Sequence, residues 1–66
     1  MGKLIVNGKE TEFGSGTLAE LLEQLKVDAA TVVAEVDGHI VEREKFCQME
    51  LADRQRIELI RFVPGG

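Results

Sequence analysis

Pro64, Gly65 and Gly66, at the C-terminal end, have the residue types and spacing best suited to chemistry. A carboxylate at Gly66 is resonance-stabilised and a poor electrophile, and it becomes reactive once an external enzyme converts it to an acyl-adenylate. Glycine suits this role because it lacks Cβ, so the end can enter a narrow channel with its carbonyl open to attack. A terminus ending in glycine can also simply fray, so the rest of the sequence has to support the chemical interpretation.

Side chains that usually carry catalysis or bind metals are sparse in the rest of the sequence. His39 and Cys47 are each the single residue of their type. One histidine without cysteine or carboxylate spacing makes no metal site, so we expect His39 to be an exposed polar residue beside a turn. No base is evident to activate Cys47, and we expect a buried, small hydrophobic residue. Glycine-rich phosphate loops are absent, so the sequence predicts no metal and no bound cofactor.

Length and charge exclude several classes of protein. Sixty-six residues make one small domain with little room for an enclosed active site. The net charge of −4 and the scattered basic residues argue against nucleic-acid binding. No apolar run approaches the ~20 residues that span a bilayer, no signal segment is recognisable, and the single cysteine fits a reducing compartment. We therefore expect a cytoplasmic protein with no membrane association and a protein or small-molecule partner.

The N-terminal half predicts a hairpin followed by a helix. Two strand-like runs flank Asn7-Gly8, residues that accept the positive φ angles of a two-residue turn. Thr17 and Glu20 have the spacing of a capping box, and leucines then recur at helical spacing. The sequence therefore predicts a helix from about Leu18 to Lys26 whose leucine stripe packs in the core.

The C-terminal half predicts strands around an irregular segment. "TVVAEV" precedes a turn at Asp37-Gly38, "HIVE" forms a short return, and "RIELIRFV" is the last strand. The intervening segment is expected to be irregular, with three side chains pointing inward: Phe46, Met49 and Leu51. The last strand can pair in parallel with the first across a helix-bearing crossover. We therefore predict an α+β fold, a β-grasp with one helix across a mixed sheet, in which residues 1–63 form the domain and residues 64–66 a flexible tail.

Alternation along the strands predicts an apolar outer face. Ile60 and Phe62 alternate with Ile57 and Leu59, and Ile5 alternates away from its core-facing neighbours. If the helix covers the inner face, these side chains are left on the outer one, next to the tail. The predicted partner-binding residues are therefore Ile5, Ile60, Phe62, Val63, Pro64 and Gly65.

The whole chain resembles the ThiS family of sulfur carrier proteins of thiamine biosynthesis, which have a ubiquitin-like β-grasp fold. The resemblance rests on length, on "NGKE" after the first strand, on "TLAELLEQL" and "VVAEVDGHIVEREKF", and above all on "RIELIRFVPGG". It departs from the family at Asp53-Arg54-Gln55, where members often carry Asp-Gly-Asp, and at Val41-Glu42-Arg43, where they often carry Val-Pro-Arg.

The resemblance implies a carrier rather than an enzyme. A ubiquitin-activating-type, ThiF-like enzyme would use ATP to adenylate Gly66, with Gly65 accompanying it into the active site. A desulfurase system would supply the sulfur of a thiocarboxylate, which a ThiG-like thiazole synthase would consume. A molybdopterin-synthase small subunit and a ubiquitin-like protein modifier share the fold and the Gly-Gly end, and both remain alternatives.

Overall fold

Two sheets and one α-helix make up the fold in the computed structural model, which describes residues 2–62. Five strands form the main sheet: Gly2–Val6 (β1), Lys9–Phe13 (β2), Val32–Val36 (β4), His39–Val41 (β5) and Arg56–Arg61 (β7). Their order across the sheet is β2-β1-β7-β4-β5. Two-residue strands at Gly16–Thr17 (β3) and Glu50–Leu51 (β6) form the second sheet, and the helix α1 spans Leu18–Leu25. The predicted boundary at residue 63 lies outside the described residues.

Two turns of the same kind close the outer hairpins of the main sheet. Asn7 and Gly8 have φ angles of 50° and 80°, and Asp37 and Gly38 have angles of 51° and 86°. Two successive positive φ angles match the right-handed twist of the strands that such a turn connects. Both predicted hairpins are therefore confirmed, with β1 antiparallel to β2 and β4 antiparallel to β5.

The helix begins at the predicted capping box. The Thr17 hydroxyl accepts a hydrogen bond from the Glu20 N–H at 3.3 Å, and the Glu20 carboxylate accepts one from the Thr17 N–H at 2.8 Å. At the other end Lys26 adopts the left-handed conformation, with a φ of 60°, which stops the helix one residue earlier than predicted. Leu18, Leu21 and Leu22 are buried, so the leucine stripe is core.

The central strand β7 lies between β1 and β4 and so joins the N-terminal hairpin to the rest of the main sheet. It pairs in parallel with β1, matching Val6 with Ile57, and antiparallel with β4, matching Ala34 with Leu59. The helix covers the inner face of this sheet, and the buried core comprises Leu4, Val6, Phe13, Leu18, Leu21, Leu22, Val32, Ala34, Val36, Phe46 and Ile57. The β-grasp prediction, including the parallel pairing of first and last strands, is confirmed.

The segment between β5 and β7 is mostly irregular, as predicted, but it contains a 3-10 turn at Arg43–Lys45 and the strand β6. Phe46 is buried, and Met49 and Leu51 pack against the core, so their predicted inward orientation is confirmed. The pairing of β6 with β3 was not predicted. It brings the Met49 carbonyl within 2.9 Å of the Leu18 N–H, which places this segment against the start of the helix.

Cys47 is exposed, and the prediction that it is buried was wrong. The reason is the helical periodicity of the turn that follows the 3-10 turn. Met49 N–H donates to the Lys45 carbonyl at 3.0 Å, so Phe46 and Met49, three residues apart, point to the same side. Cys47 then faces away from the core.

Candidate functional site

The strand β7 leads to the predicted reacting end. Its last residue, Arg61, is opposite Val32 of β4, and Phe62 follows it. Gly66, the predicted site of activation, lies outside the described residues together with three predicted partner-binding residues: Val63, Pro64 and Gly65. The described part of the candidate site is therefore the end of β7 and the surface around it.

Four apolar side chains are exposed around the end of β7, and we call them the outer-face patch. Val33 is 37% exposed, Ile40 68%, Ile60 51% and Phe62 43%. Val33 is directly opposite Ile60 in the register of β4 and β7, at a spacing where cross-strand side chains touch. Apolar side chains gathered in this way are typical of a surface that another protein covers.

The structure places Ile5 on the same face but separates it from the outer-face patch. Ile5 is half-buried and is level with Arg56 on β7. Four residues of strand, about 13 Å, separate the level of Arg56 from that of Ile60. Val33 takes the place beside Ile60 that the sequence analysis gave to Ile5.

Val33 and Ile40 were missed by the sequence analysis. Each alternates with core positions of its strand, since Val32 and Ala34 are buried and Val41 packs against the core. Alternation could therefore have placed both side chains on the outer face. Which strand lies next to β7 at its C-terminal end was not predicted, so their proximity to Ile60 could not be inferred.

Acidic groups lie beside the outer-face patch. Glu35 of β4 is directly opposite Glu58 of β7, one position along the face from the Val33–Ile60 pair. Like charges at such positions repel each other and destabilise the pairing of the strands. Among the described residues, the one ion pair within 4.0 Å joins Lys3 and Glu10, so neither member of the Glu35–Glu58 pair has a cation in contact.

A groove extends the outer-face patch toward the turn before β4. Its volume is about 450 Å³, and Val33, Ile40 and Phe62 line it together with Ala29 and Arg43. The groove is open, so it offers a partner an apolar recess next to Phe62.

The other candidate residues show no second site. His39 is exposed directly after the Asp37-Gly38 turn, as predicted. Within residues 2–62, no three His, Cys, Asp or Glu side chains come together in an arrangement that could hold a metal ion. In the same range, no helix is long and apolar enough to cross a membrane.

Known proteins resemble this chain over almost its full length. The sequence matches the family model of the ThiS family over residues 4–66. It is 34% identical over 65 residues to the sulfur carrier protein ThiS of Bacillus subtilis strain 168, covering 96% of this chain and 98% of that protein. It is also 34% identical over 65 residues to a thiazole synthase of Paramagnetospirillum magneticum, covering 97% of this chain and 20% of that protein.

Solved structures agree with this relationship. The crystal structure of the thiamine biosynthesis protein ThiS from Geobacter metallireducens is 37% identical, and the alignment covers 97% of this chain and 99% of that chain with a TM-score of 0.82. A solution structure of a thiamine biosynthesis protein from the same organism gives a TM-score of 0.77 at 37% identity, over 97% of this chain and 87% of that chain. Sequence and fold together show that the chain belongs to the ThiS family.

Proposed function

We propose that this chain is a sulfur carrier protein that supplies the sulfur of the thiazole ring of thiamine. The observation that carries the proposal is the family match, which runs through residue 66 and so includes the Gly65-Gly66 end. The similar Bacillus protein, which bears the name of a sulfur carrier, aligns over nearly its whole length. The chain would act as a carrier in the cytoplasm, and the catalysis would belong to its partners.

The proposed chemistry begins with activation of the Gly66 carboxylate. A separate ThiF-like enzyme joins the carboxylate to the AMP part of ATP and releases pyrophosphate. The outer sulfur of a persulfide on a desulfurase system then attacks the acyl carbon and displaces AMP. A thiol of that system cleaves the resulting acyl disulfide, which leaves a thiocarboxylate at Gly66 and a disulfide on the desulfurase system. Since both glycines lack Cβ, the end fits a narrow channel in each enzyme.

The proposed consumer of the sulfur is a ThiG-like thiazole synthase. Its support is the thiazole synthase of Paramagnetospirillum, one fifth of which is similar to this chain. A ThiS-like segment within a thiazole synthase keeps the two at a high effective concentration. The same pairing between separate chains requires a docking surface.

The outer-face patch is the docking surface that we propose. Ile60 is exposed on the strand β7, and Phe62 is exposed directly after that strand, on the way to the proposed reacting end. A partner that covers them fixes the domain within a few residues of Gly66, because four extended residues reach at most about 14 Å. Docking thereby converts the encounter with the carboxylate into an intramolecular step.

Mass spectrometry of the protein isolated from its native cells tests the proposal. We expect a fraction of the intact chain to carry one sulfur in place of one oxygen, and fragmentation to assign the exchange to Gly66. An unmodified Gly66 in cells that are actively making thiamine would contradict it.

Two variants test whether Gly66 is the reacting residue, and the retained fold of each variant is the control. Deletion of Gly66, and addition of one residue after it, are both expected to abolish adenylate formation, measured as pyrophosphate release. Circular dichroism is expected to show the parental fold in both, since the core lies within residues 4–57. A chain without Gly66 that still accepted AMP at the parental rate would show that the reacting group lies elsewhere.

A further inference from the structure

The two hairpin turns of the main sheet each direct a side chain at the central strand β7. Asn7 begins the turn after β1, and Asp37 begins the turn after β4. Their backbones are alike, with φ angles of 50° and 51°, and a glycine follows each of them. They differ in chemistry, because Asn7 carries an amide and Asp37 a carboxylate.

The Asn7 amide matches the groups that Leu59 presents to it. The Asn7 N–H donates to the Ile57 carbonyl at 2.8 Å, and its side chain then takes the place of the next strand residue. Oδ1 accepts from the Leu59 N–H at 2.8 Å, and Nδ2 donates to the Leu59 carbonyl at 3.3 Å. A carboxylate has no donor, so at this position it would turn an oxygen toward the Leu59 carbonyl.

Asp37 faces two donors instead. Its Oδ1 accepts from the Arg56 N–H at 3.0 Å, and its Oδ2 accepts from the Gln55 Nε2 at 3.3 Å. The Gln55 Oε1 accepts from the Ala52 N–H at 2.8 Å, which fixes the end of the Gln55 amide that faces Asp37. The two turns therefore require different groups, an amide at residue 7 and a carboxylate at residue 37.

Asn7 and Gly8 form a pair that can react without an enzyme. Both residues are exposed, and no heavy atom of the described residues lies within 4 Å of the place where a Cβ of Gly8 would be. The Gly8 nitrogen can attack the Asn7 Cγ, pass its proton through water to the departing nitrogen, and release ammonia. Water then opens the resulting succinimide at one of its two carbonyls, which gives aspartate or isoaspartate.

We propose that Asn7 is a deamidation site whose reaction is restrained by the contact with Leu59. While both hydrogen bonds are in place, the amide is fixed against β7 and is not free to turn toward the Gly8 nitrogen. Local opening of this contact must therefore precede the attack. The reaction involves no partner enzyme and does not depend on the proposed function.

Deamidation prevents the contact from re-forming. Aspartate lacks the donor for the Leu59 carbonyl, and isoaspartate adds a carbon to the main chain of a two-residue turn whose geometry the strands require. Leu59 belongs to the central strand of the main sheet. A reaction at an exposed turn thus loosens the middle of the sheet.

Rates in the folded and unfolded chain test the restraint. The full chain is incubated in mildly alkaline buffer, with and without enough guanidinium chloride to unfold it. Asn7 is the single asparagine, and trypsin cleavage at Lys3 and Lys9 isolates it in a peptide of residues 4–9. Mass spectrometry then measures conversion of amide to acid, and isoaspartyl methyltransferase measures isoaspartate.

Because two hydrogen bonds hold the amide, we expect deamidation at least about tenfold slower in the folded chain than in the unfolded one. Equal rates in the two states would overturn the restraint by Leu59. An unfolded chain that keeps its Asn7 amide would show that no deamidation site exists there.

Asp37→Asn is the matched variant, since valine precedes and glycine follows both positions. The amide introduced at residue 37 faces two donors, so its oxygen can accept from Arg56 while its nitrogen has no acceptor. We expect it to deamidate at least about threefold faster than Asn7 in the folded chain, because one hydrogen bond fewer holds it. In the unfolded chain the two rates should be similar. Equal rates in a folded variant would argue against the role of the Leu59 contact.

Asn7→Asp reproduces one product of the reaction and serves if Asp37→Asn does not fold. We expect amide hydrogen exchange at Leu59 to become about fivefold faster, the equivalent of one hydrogen bond. Exchange at Arg56, whose N–H is held by Asp37, is the internal control and should stay at the parental rate. Parental exchange at Leu59 would show that a carboxylate serves there as well as the amide, and the proposed loosening of β7 would be wrong.

Discussion

Arg54 lies in a backbone conformation that favours glycine. Its φ of 70° lies in the left-handed region, at the turn just before β7. The turn is fixed to β1, because the Arg54 N–H donates to the Lys3 carbonyl at 2.6 Å and the Asp53 carboxylate accepts from the Lys3 N–H at 2.7 Å. The chain therefore retains a strained residue where members of the ThiS family often carry glycine.

Replacing Arg54 by glycine should stabilise the protein. The left-handed conformation costs an L-residue about 1–2 kcal/mol, and the added freedom of glycine in the unfolded chain offsets about 0.4–1 kcal/mol of the relief. We expect Arg54→Gly to raise the free energy of unfolding by about 0.5–1 kcal/mol in urea denaturation. Arg54→Ala is the control, since it removes the guanidinium but keeps Cβ, and it should give no such gain.

Cys47 should be dispensable for stability and for carriage of sulfur. The side chain is exposed, and substitutions at exposed positions usually change stability by less than about 0.5 kcal/mol. We expect folded Cys47→Ser to unfold at the parental urea concentration and to form the thiocarboxylate at the parental rate. Loss of the thiocarboxylate in a folded Cys47→Ser variant would instead assign the cysteine a covalent role in sulfur transfer.

At the scale of secondary-structure elements, the sequence predicts those elements that a few adjacent residues determine. Asn7-Gly8 can serve a two-residue hairpin, and Thr17 with Glu20 can start a helix, so both elements were predictable from a few adjacent residues. The pairing of β3 with β6 depends on residues more than 30 positions apart that carry no shared pattern. The proximity of Val33 to Ile60 likewise depends on strand order, so only part of the outer-face patch was predictable.

The pairing of β4 with β7 contains a repulsion that one substitution should remove. Glu35 and Glu58 are directly opposite, and converting such a like-charge pair to opposite charges contributes about 0.2–1 kcal/mol. We expect Glu58→Lys to raise the free energy of unfolding by that amount at low salt and by less at 1 M salt, where charges are screened. Glu58→Gln should give a smaller gain, and an equal gain from both variants would show that the repulsion, not a new attraction, is what matters.

The whole molecule has a covered face and an uncovered one. The helix closes the inner face of the main sheet, and its leucines complete the core. The outer face carries the outer-face patch and has no described element packed over Ile60 or Phe62, which remain about half exposed. This division leaves the outer face of the main sheet available to the proposed partner enzymes.

Truncation of the outer-face patch should weaken docking without unfolding the domain. Removing a central apolar anchor typically costs more than about 1 kcal/mol of binding free energy. We therefore expect Ile60→Ala and Phe62→Ala to raise the Kd for the ThiF-like enzyme or for thiazole synthase at least about fivefold. The thermal midpoints should stay near that of the parent. Ile5→Ala, on the same face but distant from Ile60, is the control, and equal losses at all three positions would argue against a localised docking surface.

The central place of β7 determines when the domain can fold during synthesis. Residues 56–61 are made after every other strand of the domain, yet they pair with both β1 and β4 and fill the middle of the main sheet. Before they leave the ribosome, β1 and β4 have no common neighbour, and the hairpin of β1 and β2 has only marginal stability by itself. Folding must therefore wait until β7 has been made, and a polypeptide truncated before β7 stays unfolded and open to proteases. The sheet thereby acts as a check on synthesis, since the chains that fold are those in which the strand leading to the proposed reacting end has been made.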